Sequence, residues 1–258
     1  MTTLRISPLR SLLFIPAHRT ELLEKMVGCE ADGVVIDCES AETPEQESGG
    51  RANARSFTAR FADGNTSVFV RVHPPASQCI TSDVQGALCD ELAGVLVPNV
   101  ETTHDLDRAA GLLALEGLAH LGVIVGLESC LGVADARVVL QHPNVRGVYF
   151  GAEDYVADLG GTRTPGNTEV LYARSRVALA ARLAGVPAFD QVKVNHRDRE
   201  ALVREASEGR SLGFTGKLCW HTSQVAPINQ IFEASSSRVD PGTSAEEPLI
   251  EAVQEVMV

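Results

Sequence analysis

The sequence predicts an α/β fold, a TIM (β/α)8 barrel with a short C-terminal helical extension, on three observations. Eight short apolar, β-branched runs alternate with longer amphipathic stretches, the pattern of βα units around a parallel sheet. The length of 258 residues suits a closed barrel, which takes roughly 250 residues as one unit. Acidic and basic residues gather where the apolar runs stop, and in this fold the active-site loops leave the carboxyl ends of the strands.

The expected elements follow in chain order. A strand over Ser11–Ala17 leads to a helix over Thr20–Gly28, whose start is marked by Thr20 before Glu21 and whose stop is marked by Gly28. The second strand, Gly33–Glu39, precedes a helix over Gln46–Phe61, and the third, Ser67–Val72, precedes one over Val84–Leu92. Strand four is Gly94–Asn99, and Thr102 and Thr103 ahead of Asp105 open the helix Thr102–Leu115. Strand Gly122–Glu128 is followed by helix Gly132–Leu140, and strand Gly147–Asp154 by helix Thr168–Ala184 with Gly185 beyond it. The last units are Ala188–Val194 with helix Arg197–Glu208 ending at Gly209, then Gly216–His221 with helix Ser223–Phe232. The expected organisation is a barrel with its catalytic loops over residues 1–233 and a linker and helix over 234–258. The stretch Ala234–Thr243 is rich in Ser, Pro and Gly, and Ala245–Met257 places Leu249, Ile250, Val253 and Val256 on one face. Such a helix is too small to fold alone, so it is expected to dock on its own barrel or on a neighbouring subunit.

Composition narrows the function classes. A hydrophobic fraction of 44% and a charged fraction of 22% permit a large core without staples, and an aromatic fraction of 5% makes that core aliphatic. A net charge of −12 argues against a nucleic-acid surface and leaves an anionic substrate to rely on local arginines. No stretch approaches the roughly 18 apolar residues of a membrane span, and Met1 to Ser11 has no apolar run of a secretory signal, so a cytoplasmic location is expected. The six cysteines form no C-x-x-C pair and no zinc spacing, which reads as reduced, mostly buried thiols.

Chemistry concentrates in two acidic strand ends, Gly126-Leu127-Glu128-Ser129 and Phe150-Gly151-Ala152-Glu153-Asp154. Two carboxylates delivered to one end of a barrel make a divalent metal site, and hard oxygen donors suit Mg²⁺ or Mn²⁺. Asp37 and Glu39 follow the second strand and Arg71 the third, all toward the same mouth. Backbone amides around Gly151, Ala152 and Glu153 are placed to bind a substrate carboxylate, since glycine allows close approach. Lys217 and His221 lie on the last strand, where a lone His is more often a packing or hydrogen-bonding residue than a base.

Several segments together resemble the citrate lyase beta subunit family, within the HpcH/HpaI aldolases, whose relatives include malyl- and citramalyl-coenzyme A lyases. They are Arg10-Ser11-Leu12-Leu13-Phe14-Ile15-Pro16, Val35-Ile36-Asp37-Cys38-Glu39, Arg51-Ala52-Asn53-Ala54-Arg55, Val70-Arg71-Val72, Gly151-Ala152-Glu153-Asp154 with Asp158-Leu159-Gly160, and Gly216-Lys217 through His221 and Gln224. The resemblance spans about residues 10–233. It implies a Mg²⁺-binding barrel, usually a trimer or hexamer, with Glu128 and Asp154 as metal ligands. It also implies that Arg71 grips the oxygen atoms of a 2-oxo acid; Asp37 and Glu39, on one side of the same strand, are candidates for catalysis, with orienting water or Arg71 as the alternative role for one of them. Arg19, after the first strand, is a candidate to meet a phosphate of coenzyme A, and Arg51 stands where the family usually has lysine, with a solvated helix-face role as its alternative.

The activity so implied is cleavage or formation of a β-hydroxyacyl thioester, giving an acyl-coenzyme A or acyl-carrier thioester and a 2-oxo acid. A thioesterase of the same substrates and an aldolase of free 2-oxo acids are the alternatives. Ser40, His73, Asn99 and Thr222 depart from the family pattern beside the motifs, which points to an acyl group other than citryl or malyl.

Overall fold

The computed structural model describes residues 9–62 and 66–233, and the expected linker and C-terminal helix lie outside the described residues. Eight parallel strands close in sequence order, each hydrogen-bonded to the next and the eighth to the first. They are β1 (Ser11–Pro16), β2 (Gly33–Asp37), β3 (Ser67–Arg71), β4 (Gly94–Val97), β5 (Val123–Leu127), β6 (Val145–Phe150), β7 (Ala188–Asp190) and β8 (Gly216–Cys219). Around them run α1 (Thr20–Met26), α2 (Pro44–Ala62), α3 (Cys79–Ala87), α4 (Thr103–Leu115), α5 (Cys130–Ala134), α6 (Ala136–Val139), α7 (Ala152–Leu159), α8 (Leu171–Ala184), α9 (Arg199–Leu212) and α10 (Val225–Phe232). The expected barrel is therefore the observed one.

Strand alternation divides the core in two. One buried cluster takes Leu12 and Phe14 from β1, Val35, Phe69, Leu96 and Ile124 from the next four strands, then Tyr149, Phe189 and Leu218. This cluster draws on every strand and on no helix, so it fills the barrel's inside. The intervening residues, among them Val34, Ile36, Val70, Val125 and Val148, join the larger cluster between sheet and helices. Because side chains repeat with period two, the inside row on each strand runs upward to the mouth. Two residues beyond Val35 stands Asp37, two beyond Phe69 stands Arg71, two and four beyond Ile124 stand Gly126 and Glu128, and two beyond Tyr149 stands Gly151. The rule that packs the barrel thus also delivers the polar mouth.

Helix punctuation follows local chemistry. Thr102 and Asp105 exchange bonds in a capping box at the start of α4, which satisfies amides that a helix start leaves open. Gly185 and Gly213 adopt left-handed φ of 73° and 104° to stop α8 and α9. The expected stop at Gly209 is displaced to Gly213. Gly209 lies inside α9 facing β7, where an added Cβ would come within 2.5 Å of Asp190 Oδ2.

Other boundaries differ as well, among them β7, which stops at Asp190 rather than Val194. Helix α3 begins at Cys79 rather than Val84, its first amide donating to Ser77 Oγ at 3.1 Å. The single helix expected over 132–140 is two short ones divided at Asp135. Strand β6 runs Val145–Phe150, and the residues expected to continue it to Asp154 turn into α7 after Gly151. Asp154 is therefore presented from a helix's first turn and not from a strand end. All six cysteines are free thiols, with Cys38 and Cys219 buried and the rest half-buried. Among the described residues no helix is long and apolar enough to cross a membrane.

Candidate active site at the barrel mouth

Glu128 is the most constrained side chain of the mouth. It is 3% exposed and receives a short hydrogen bond from the Tyr149 hydroxyl. Space for it exists because two inward positions carry no side chain. A Cβ on Gly126 would stand 2.5 Å from both Glu128 Oε1 and the Tyr149 hydroxyl, and one on Gly151 would stand 2.6 Å from Glu128 Oε2. The pairing of Gly126 with Tyr149 and Leu127 with Phe150 puts these residues side by side on β5 and β6.

Asp154 reaches the same carboxylate. Burial pushes the Glu128 carboxyl up to about 8, the hydrogen bond to Asp154 pushes the same way, and Arg71 and Tyr149 oppose them. Two carboxyls forced together in a dry mouth compete for a proton, which is the state that a dication relieves. The pair fits a hard divalent ion: it offers oxygen donors only, and two carboxylates leave positions for water and substrate, as Mg²⁺ prefers. The two acidic segments singled out from sequence are thus brought together.

Arg71 lies between this pair and a second acidic group. Its Nε and Nη2 donate to Asp37 Oδ1 and Oδ2 at 2.7 and 2.8 Å, and Nη1 contacts Glu39 Oε2 at 2.8 Å. The pairing of Asp37 with Arg71 across β2 and β3 sets the first contact, and the guanidinium sits 5.1 Å from the Phe14 ring centroid in the layer below. The Nε–Nη2 edge is engaged by the buried Asp37 and Nη1 by Glu39, so a bound acid is left the remaining N–H groups of Nη1 and Nη2. Burial raises the Glu39 carboxyl to about 6; Arg71 lowers it, while Asp37 and Asp154 raise it. Glu39, Arg71, Glu128 and Asp154 therefore sense one another's charge across one mouth.

The expected amide cradle is smaller than the sequence suggests. The Gly151 amide donates to Leu127 O at 3.1 Å, leaving those of Ala152 and Glu153 in the first turn of α7, where a helix supplies no partner of its own. The Glu153 side chain turns to Arg163 at 2.9 Å. Arg19 is paired with Glu21 at the surface, each about half exposed. Arg51 bonds Asp83 and Glu47 and is no solvated helix residue. Lys217 points outward from β8 to Asp190 at 3.1 Å, and His221 stacks on His196 with ring centroids 4.3 Å apart. The residue that sequence reasoning passed over is Tyr149, whose inward position on β6 was visible in the alternation but reads there as core.

Residues 10–222 match the model of the family described as HpcH/HpaI aldolase/citrate lyase. The chain belongs to this family. Within the HpcH/HpaI aldolases it is 44% identical over 228 residues to a citrate lyase subunit beta-like protein of Deinococcus radiodurans, covering 87% of this chain and 80% of that one. It is 27% identical to a (3S)-malyl-CoA thioesterase of Cereibacter sphaeroides over 90% of this chain and 80% of that one. A citrate lyase beta subunit of Mycobacterium tuberculosis, solved with oxaloacetate and magnesium, superimposes with a TM-score of 0.74 at 26% identity, covering 88% of this chain and 98% of that one.

Proposed function

We propose that this HpcH/HpaI aldolase is a Mg²⁺-dependent carbon–carbon lyase that cleaves or forms a β-hydroxyacyl thioester. The observation that carries the reading is the convergence of Glu128 and Asp154 beside Arg71 at the carboxyl ends of the strands. The relative solved with oxaloacetate and magnesium supports a 2-oxo acid and this ion, and the malyl-CoA relative supports a thioester. Glu128 and Asp154 would hold the ion, which when bound supplies Lewis acidity toward the oxygens of the hydroxy acid.

The chain's own groups account for the rest. In cleavage the hydroxyl proton leaves, the carbinol carbon becomes the carbonyl of the 2-oxo acid, and the electrons of the broken carbon–carbon bond pass to the thioester enolate, which is then protonated at carbon. Glu39, with its carboxyl raised to about 6, is suited to exchange a proton near neutrality. Asp37 fixes the plane of Arg71, whose remaining N–H groups neutralise charge developing on the acid. Tyr149 keeps Glu128 turned toward Asp154. The amides of Ala152 and Glu153 offer donors to a substrate carboxylate, and Arg19 offers a cation to a coenzyme A phosphate at the rim. We expect a cytoplasmic homotrimer or hexamer.

The deciding experiment incubates the protein with malyl- or citramalyl-coenzyme A and Mg²⁺. A lyase yields a 2-oxo acid and a shorter acyl thioester. A thioesterase, the second reading favoured by the Cereibacter relative, yields free thiol and the intact hydroxy acid. Cleavage of the free hydroxy acid alone would identify an aldolase that needs no carrier.

Arg71→Lys keeps the charge but loses the fork to Asp37 and the contact to Glu39. We expect kcat to fall about 10²-fold or more, as for loss of one preorganised donor. Equal kcat in steady-state assays would make Arg71 a bystander.

The ion-free protein should also lose stability as pH rises. Folded Glu128 keeps its proton up to about 8, whereas the ordinary carboxyl releases it near 4.5. Between those values the folded state binds more protons than the unfolded one, so stability falls at up to about 1.4 kcal/mol per pH unit. Mg²⁺ replaces that proton, so its thermal stabilisation should be larger at about pH 8 than at about pH 6. Melting curves with and without Mg²⁺ test this; a shift independent of pH would contradict it.

A further inference from the structure

Beside the mouth, three side chains from different elements converge on a second point. Glu47 comes from the first turns of α2, His73 from the loop after β3 and Cys79 from the first position of α3. A carboxylate oxygen, a ring nitrogen and the thiol sulfur of these residues all lie within 4.8 Å of one another. Cys79 Sγ is 3.7 Å from Glu47 Oε2 and 3.8 Å from Oε1. Two donors on one tetrahedral zinc, with bonds of about 2.0–2.3 Å, stand roughly 3.3–3.7 Å apart, so tenths of an ångström close the sulfur–oxygen pair. The widest pair needs one side-chain adjustment, which half-buried residues permit.

The surroundings are arranged as a metal-binding histidine requires. Asp83 is fully buried and accepts the His73 backbone amide at 2.7 Å, Arg51 Nε at 2.8 Å and His73 Nδ1 at 2.6 Å. Asp83 on Nδ1 favours the protonated ring, so an ion at the other ring nitrogen has to displace a proton, after which the tautomer is fixed. Arg51 Nη2 holds Glu47 Oε2 at 3.0 Å, which orients this carboxylate while Oε1 stays available. With Cys79 as thiolate and His73 neutral, two carboxylates and one sulfur stand against one guanidinium, and the surplus equals the charge of one dication. The nitrogen and sulfur donors separate this cluster from the all-oxygen pair of Glu128 and Asp154, since soft donors select zinc-type ions over magnesium.

We propose that Glu47, His73 and Cys79 form a second cation site, selective for a zinc-type divalent ion, with Asp83 as its outer carboxylate and a coordination position left to water. The ion ties the start of α2 to the start of α3 across the end of β3, bracing the two loops that flank Arg71 and Glu39. The site stands independently of the lyase reading, because none of its ligands belongs to the Glu128–Asp154 pair.

The test uses the purified full chain, stripped of metal and titrated with Co²⁺, whose bond to a thiolate gives a sulfur-to-metal charge-transfer band. Wild-type protein should develop the band to one equivalent, and Zn²⁺ but not excess Mg²⁺ should abolish it. Asp154→Ala should keep the band, which separates this site from the proposed magnesium site. Cys79→Ser should lose it with an unchanged metal-free melting curve, and His73→Gln should weaken Co²⁺ binding at least about tenfold. Absence of the band, its survival in Cys79→Ser, its loss in Asp154→Ala or its displacement by Mg²⁺ would each overturn the proposal.

Discussion

Replacing Asp154 by Ala should abolish Mg²⁺-dependent turnover while leaving the barrel folded. The residue occupies the first turn of α7, with its side chain in the mouth beside Glu128 and outside both hydrophobic clusters. Little apolar burial is therefore lost. What disappears is one of two protein donors to the ion, and the Lewis-acid contribution at stake is several kcal/mol. That corresponds to a fall on the order of 10³-fold in kcat. The assay is thioester cleavage at saturating substrate across a Mg²⁺ series, alongside melting curves. Removing Asp154 also takes away the hydrogen bond that helps to raise the Glu128 carboxyl, so that group should titrate lower than in the parent protein. Full activity in the variant would defeat the metal assignment, and an unfolded variant would be exposed by its melting curve and replaced by Asp154→Asn.

The largest stability effect is expected far from the mouth, at Asp190. Its carboxylate lies between β7, β8, α8 and α9, contacting Arg174 Nε and Nη2 at 3.0 Å each and Lys217 Nζ at 3.1 Å, with all three side chains fully buried. Burial alone would raise this carboxyl, but Lys217 and Arg174 overcome it and hold the group below its ordinary range. Asp190→Ala strands two cations in a dry interface with only Glu208, 2.6 Å from Arg174, as remaining relief. Breaking such a buried pair from one side costs about 3–5 kcal/mol. For a domain of this size the melting temperature should drop by roughly 10 °C. Exchanging Asp190, Arg174 and Lys217 together for apolar residues of similar volume should recover most of the loss, because the penalty comes from charge left unpaired. A melting temperature unchanged in the single variant would show that water reaches the cluster.

Much of this architecture was legible in the residues, and the misreadings have physical causes. All eight strands were readable because parallel strands, covered on both faces, write themselves as continuous β-branched runs. Helix α7 was hidden because Tyr149-Phe150-Gly151-Ala152 prolongs the apolar run, and Gly151 offers no side-chain cap to announce a helix start. Glu128, Asp154, Arg71 and Glu39 could be chosen as a group, since each follows an apolar run. Their partners could not be chosen. That Asp37 occupies one edge of Arg71 depends on the register of β2 against β3, and that Tyr149 holds Glu128 depends on β5 against β6. Arg174, Asp190 and Lys217 come from three separate elements, and no local spacing joins them.

Gly126 and Gly151 leave the central carboxylate a slot with no slack, since even a methyl group on either would collide with it. The side of the pocket formed by β5 and β6 is therefore the side least open to redesign by substitution.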